Sequence, residues 1–122
     1  MSIEKITQLL RQFAKDRDWD QFHSPKNLVM ALSVEASELL EHFQWLTEEQ
    51  SAALEGKKRH EVAEEMVDVF LYLLRMADKL EIDLLDAASK KIEKNALKYP
   101  AEKVKGSSKK YTEYNQDDKT SA

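Results

Sequence analysis

Residues 58–80 read KRHEVAEEMVDVFLYLLRMADKL, and the spacing of apolar side chains within this stretch decides the fold class. Val62, Met66, Val69, Phe70, Leu73, Met76, Ala77 and Leu80 recur every three or four residues. That is the period of one helix face, so the stretch predicts a long helix with these residues facing inward. Downstream, Asp83 with Asp86 three residues on has the form of a cap opening a further helix, which ends near Lys98 before Pro100. Upstream, Leu28, Leu32, Leu39 and Phe43 form a stripe on a helix running to about residue 44, and Ser24-Pro25 reads as its N-cap and first residue. Ile3, Ile6, Leu9, Leu10 and Phe13 predict a first helix over about residues 2–17, followed by an aromatic connector from Trp19 to His23. Thr47-Glu48-Glu49-Gln50, inside the link 45–57, has the spacing of a capping box and can open a short helix.

Two glycines and two prolines in 122 residues leave too few turn residues for a sheet-rich domain. Gly56 and Gly106 stand alone, so no glycine-rich phosphate loop exists. The expected architecture is all-α and four-helix bundle-like. A 42% hydrophobic content is enough for one packed core. Residues 1–100 are expected to form that domain and residues 101–122, poor in apolar side chains, an extended or partly disordered tail. No apolar run has the length of a membrane span, and the start, MSIEKITQLLRQF, lacks the apolar segment of a signal peptide. With zero cysteines, disulfides, Fe–S clusters and thiolate zinc sites are excluded, and the expected compartment is the cytoplasm.

The net charge of −4 conceals a division. Residues 35–68 carry ten acids and three bases, a balance of −7, whereas residues 82–122 carry nine lysines and seven acids. An acidic middle argues against a surface that coats nucleic acid. Within it lie Glu35-Ala36-Ser37-Glu38 and Glu65-Met66-Val67-Asp68, two acid pairs at helical spacing i, i+3. At about 100° per residue, Glu35 falls roughly 20° from Leu28, inside the apolar sector of its helix, and Glu38 lies at the edge of that sector. Glu65 borders Met66 and Val69 and shares a face with Glu61, Asp68 and Tyr72. Acids on a charged helix are commonly solvated surface, as Glu41, Glu48, Glu49, Glu55 and Glu64 are expected to be. A carboxylate directed into a core, however, is costly unless paired or metal-bound. Convergent carboxylates with no cysteine and no histidine at ligand spacing make a hard oxygen site, suited to Mg²⁺ or Mn²⁺ rather than zinc or copper. A di-iron bundle would need Glu-x-x-His pairs, which are absent.

Lys91, Asn95 and Lys98 recur on one helix face with Tyr99 alongside. Such a stripe is either a solvated exterior or a binding face for polyphosphate oxygens. Trp19, Phe22 and His23 cluster in the connector, with Phe43 and Trp45 near the end of the second helix. Aromatics at helix ends serve as core lids or as stacking platforms for a nucleobase.

Taken in order, these motifs resemble the MazG-like family of all-α nucleoside triphosphate pyrophosphohydrolases, in particular its dCTP pyrophosphatase-like branch. The family pattern of ExxE, a spacer and ExxD is met by Glu35-x-x-Glu38, 26 residues, and Glu65-x-x-Asp68. RDWDQFHSPKNL (17–28), FQW (43–45), EEMVDVFLYL (64–73), Lys91-x3-Asn95-x2-Lys98-Tyr99-Pro100 and SSKKYTE (107–113) extend the likeness over roughly residues 9–114. The resemblance implies that Glu35, Glu38, Glu65 and Asp68 bind Mg²⁺, with Glu38 or Glu35 orienting a water that attacks the α-phosphorus. It implies that Lys91, Asn95, Lys98 and Tyr99 contact phosphate or sugar, and that Trp19, His23, Trp45 and Tyr72 line the base and ribose pocket. It further implies a homodimer or homotetramer whose neighbouring chains complete the pocket, acting on a nucleoside triphosphate, with neither a nucleic acid polymer nor a membrane as partner. One departure stands in the first helix: mammalian relatives carry a polar histidine where this chain has Leu10, which bears on preference for cytosine. Two other functions compete with dCTP hydrolysis: a catalytically silent helical interaction module with its acids salt-bridged to Lys91 and Lys98, and a related pyrophosphohydrolase acting on dUTP or phosphoribosyl-ATP.

Overall fold

In the computed structural model, residues 1–107 are described and all regular structure among them is helical. Helix α1 spans Ile3–Asp16, α2 Pro25–Glu41, α3 Glu48–Ala52, α4 Gly56–Lys79, α5 Leu84–Lys98 and α6 Ala101–Val104. A 3₁₀ turn, Asp20–Phe22, stands in the aromatic connector. Residues 1–82 make one compact unit, and α5 and α6 belong to a second that begins at Asp83.

Three of the four long helices, α1, α2 and α5, start where a short polar side chain accepts a free backbone N–H, whereas Glu55 ahead of α4 makes no such side-chain bond. Ser2 caps α1 by accepting from Lys5, Ser24 caps α2 by accepting from Asn27 ahead of Pro25, and Asp83 caps α5 by accepting from Asp86. The capping box on α3 is complete: Gln50 N–H donates to Thr47 Oγ1 at 3.1 Å, and Thr47 N–H donates to Gln50 Oε1 at 3.0 Å. α6 is a single helical turn at the start of the segment expected to be extended, and residues 108–122 lie outside the described residues, as does most of the SSKKYTE motif.

In the first unit, α4 packs against both α2 and α1. Its centre is formed by Ala14, Leu28, Val62, Leu74 and Ala77, with Leu28 only 2% exposed. This corrects the expected inward face of α4. Val62 and Ala77 are buried, but Met66, Phe70, Leu73 and Leu80 are exposed, Met66 at 57%. The physical reason is width. The apolar residues of α4 span more of its circumference than neighbouring helices of one chain cover, so part of the stripe faces outward. Buried in their place are Leu74 and, among the polar residues, Arg75 at 6% exposure. No described helix is long and apolar enough to cross a membrane.

Candidate active site

α2 and α4 bring together the acids that the sequence separates. Glu35 and Glu38 on α2 and Glu65 on α4 each present a carboxylate oxygen within 4.8 Å of the others, and all three side chains are half-buried. The buried Oε2 atoms of Glu35 and Glu65 have no hydrogen-bond donor. An acceptor buried without a donor costs about 1–3 kcal/mol, and more when charged. Two such oxygens in one cluster call for something positive between them. Without a cation the cluster holds a proton instead: burial first, then hydrogen bonding to Glu65 and Glu38, pushes the Glu35 carboxyl up to about 7. The donor set is all oxygen and anionic, which suits a hard divalent cation. Asp68, the fourth predicted ligand, is exposed and stands outside the three-carboxylate group.

Asp68 does share a wall with Glu35. Both line a cavity of about 300 Å³ together with Leu10, Phe13, Trp19, His23, Leu71, Tyr72 and Arg75. α4 contributes Asp68, Leu71, Tyr72 and Arg75 because residues three, four and seven apart share a helix face. Of the predicted base-pocket residues, Trp19, His23 and Tyr72 therefore meet in one cavity, and Leu10 lines it as well. Trp45 does not line it; it sits in the turn after α2 and is 86% exposed. Lys91, Asn95 and Lys98 lie on α5, and Tyr99 is that helix's C-cap.

The end of α1 explains how the connector reaches the cavity. Trp19 N–H donates to Ala14 O at 2.9 Å and Asp18 N–H to Lys15 O at 3.1 Å, while Asp18 takes a left-handed φ of 53°. This is a Schellman ending, and its usual apolar contact is present: the rings of Phe13 and Trp19 meet edge-on with centroids 5.8 Å apart. The reversal turns Trp19 toward Phe13 and places His23 directly ahead of the Ser24 cap.

Arg75 was not among the residues the sequence singled out. Its Nε donates to His23 Nδ1 at 3.2 Å, Nη2 to Asp20 Oδ1 at 2.5 Å and Nη1 to Asp78 Oδ2 at 3.2 Å. Asp20 also accepts from Lys79 at 2.5 Å, and Asp78 from Arg11 Nε at 2.8 Å. The hydrogen bond from Lys79 first, aided by the charge of Arg75, holds Asp20 below the ordinary carboxylate range; Arg11 does the same for Asp78. The signal in the sequence was one cation inside the apolar run LYLLRMA (71–77), where a lone charge demands partners.

A half-buried carboxylate cluster with orphaned oxygens, beside an aromatic-walled cavity in an all-helical unit, defines a class: helical proteins whose acidic cluster has the donor chemistry of a divalent-cation site next to a cavity. Comparison with known proteins sharpens that class. The family model described as MazG-like matches residues 30–114. The chain is 41% identical to dCTP pyrophosphatase 1 of Homo sapiens over 114 residues, which is 92% of this chain and 67% of the human protein. It is 39% identical to dCTP pyrophosphatase 1 of Bos taurus over 114 residues, 92% of this chain and 68% of the bovine protein. Among solved structures, a pyrophosphatase from Archaeoglobus fulgidus DSM 4304 superposes with a TM-score of 0.75 at 41% identity, covering 80% of this chain and 91% of that one. The chain belongs to the MazG-like family. Its enzyme class is that of the nucleoside triphosphate pyrophosphatases, hydrolases of acid anhydrides.

Proposed function

We propose that this enzyme hydrolyses dCTP, or a base-modified dCTP, to the nucleoside monophosphate and pyrophosphate, clearing such nucleotides from the cytoplasmic pool in a Mg²⁺-dependent reaction. The observation that carries this reading is the pair of buried, donorless oxygens on Glu35 and Glu65 beside the aromatic cavity. The names of the relatives support dCTP as the substrate. Glu35, Glu38, Glu65 and Asp68 would hold the cation, with Mn²⁺ as a substitute for Mg²⁺. When bound, such an ion supplies Lewis acidity at phosphate oxygen and lowers the pKa of associated water.

The chain's own residues do the rest. Glu38, or Glu35 beside it, orients the attacking water and accepts its proton. Trp19, His23 and Tyr72 receive the base and ribose. Leu10 presents an apolar wall to the same cavity, so base selection rests on the remaining side chains. Lys91, Asn95, Lys98 and Tyr99 are assigned to phosphate and sugar on their chemistry alone. The catalytic domain is taken as residues 1–100 and residues 101–122 as its tail.

We also infer a homodimer or homotetramer. Val34 and Leu40 on α2 and Met66 and Leu73 on α4 are all exposed, more apolar surface than a lone soluble chain commonly leaves uncovered. Trp45, exposed and outside its own chain's cavity, is assigned to closing a neighbour's.

The test is to incubate the protein with Mg²⁺ and each dNTP, together with phosphoribosyl-ATP, and assay pyrophosphate. dCTP or a modified dCTP should be the best substrate; preference for dUTP or phosphoribosyl-ATP would move the assignment within the family. Failure of every substrate, with an intact helical circular dichroism spectrum, would overturn it in favour of a silent interaction module. Glu38→Gln and Asp68→Asn should each lower turnover by at least about a hundredfold while helicity is kept, because each removes ligand charge and keeps shape.

A further inference from the structure

His23 lines the cavity, and among the described residues only one of its ring nitrogens has a partner. Nδ1 accepts from Arg75 Nε, whereas Nε2 makes no hydrogen bond to any described residue. Arg75 can do nothing but donate, because a guanidinium stays charged throughout the accessible pH range and carries no acceptor. Its two remaining arms are held by Asp20 and Asp78, so the plane of the fork is fixed from the side away from the ring. Nδ1 must therefore keep its lone pair, and the proton of a neutral imidazole must sit on Nε2.

We propose that Arg75 is a positioning residue that locks His23 in the Nε2–H tautomer, so that the cavity presents a hydrogen-bond donor to an acceptor on the nucleoside half of the substrate. A carbonyl oxygen or an unprotonated ring nitrogen of the base is the chemistry that fits. This rests on the proposed function for the identity of the ligand, but not for the state of the ring.

The charged groups around His23 favour the same state. Burial first, then the charges of Arg75 and Lys79, hold the imidazole below its ordinary range against the opposing pull of Asp20. A second proton, on Nδ1, would also face the Arg75 Nε–H head-on. The arrangement is buttressed beyond the first contact. Asp78 accepts from Arg11 as well as Arg75, and Asp20 accepts from Lys79 as well as Arg75, so the guanidinium is the centre of a five-residue set rather than one arm of a pair.

The first experiment is ¹⁵N NMR of the histidine rings in the full chain, with His23 identified by the signals lost in His23→Gln. The expected pattern is a neutral ring protonated at Nε2. A ring protonated at Nδ1, or a charged ring at neutral pH, overturns the proposal whether or not the protein turns over any nucleotide. Conversely, absence of turnover with the expected ring pattern removes the substrate assignment and leaves the tautomer lock standing.

The second experiment uses Arg75→Met and Arg75→Gln with dCTP and Mg²⁺. Neither strands a carboxylate, because Asp20 keeps Lys79 and Asp78 keeps Arg11. Arg75→Met frees the ring to exchange tautomers and should raise KM about tenfold with kcat little changed. Arg75→Gln, whose amide can still donate to Nδ1, should recover most of that loss. The Arg75→Met/His23→Phe double variant should be no worse than His23→Phe alone, since both act through one hydrogen bond. Equal effects of Met and Gln on KM, an unaltered His23 ring in Arg75→Met, or additive losses in the double variant would each reduce Arg75 to a packing role and overturn the proposal.

Discussion

Glu35 has one oxygen buried without a donor, in a cluster with Glu38 and Glu65. Its carboxyl is raised by burial first, from an ordinary value of 4.5 to about 7. Between those two values the folded apoprotein binds more protons than the unfolded chain, so this group's contribution to stability falls as pH rises across that window. Above about pH 7 the ionised cluster repels itself. The Tm of the metal-free protein should therefore decline from pH 4.5 toward pH 7, and Glu35→Gln should flatten that slope and raise Tm at higher pH. Adding Mg²⁺ should raise Tm in the native chain and do so far less in Glu35→Gln, because a ligand that binds only the folded state stabilises it by mass action. Thermal melts over a pH series check all three. The position of Glu35 in the apolar sector of α2 is visible from helical phase alone, which is why this residue was legible. Arg75 was not: periodicity marks it as an anomaly on α4 but cannot say that Asp20, Asp78 and His23 converge on it.

The expected ends of α1 and α4 fall within a residue of those observed, but the turns that make those ends were not legible as the caps were, for a local reason. The caps at Ser2, Ser24, Thr47 and Asp83 each reach a backbone N–H three residues on, so the required contact lies inside the motif itself. The ends of α1 and α4 use Schellman turns without glycine. Asp18 takes φ 53° and Glu81 φ 55°, and at the second turn Ile82 N–H donates to Ala77 O at 2.9 Å. Glycine is the usual signal for this conformation, and its absence hides the turn. Glu81 carries a Cβ through a left-handed backbone, which costs about 1 kcal/mol relative to glycine. Glu81→Gly should therefore raise unfolding free energy by up to ~1 kcal/mol in chemical denaturation, with no change in kcat, since the turn keeps its hydrogen bonds. A loss of stability would mean that the left-handed turn is not strained.

At the scale of the molecule, the described chain buries only five apolar residues below the surface while Met66, Phe70, Leu73, Val34 and Leu40 stay exposed. The inferred oligomer accounts for that imbalance, because α2 and α4 each present apolar residues beyond those they bury against each other. Met66→Lys with Leu73→Glu should shift sedimentation toward the monomer and lower Tm. Activity should fall as well if the exposed Trp45 closes a neighbouring chain's cavity. A monomeric native protein at micromolar concentration would overturn the inference. Size alone could not have revealed this surface. The apolar stripe of α4 reads the same in sequence whether a neighbouring helix or a second copy covers it.

The sequence by itself determined the all-α class, the capped helix starts and the two carboxylate pairs, since all of these follow from spacings of three or four residues along one chain. Only the tertiary structure decided which acids converge: Glu35 and Glu38 meet Glu65 while Asp68 stands apart on the cavity wall. It also decided that Trp45 lies outside the cavity and that Arg75 donates a hydrogen bond to the ring of His23. The reason is distance along the chain. His23 and Arg75 are 52 residues apart and Asp20 and Arg75 are 55 apart, so their meeting depends on how α1 and the connector settle against α4, which no local period encodes.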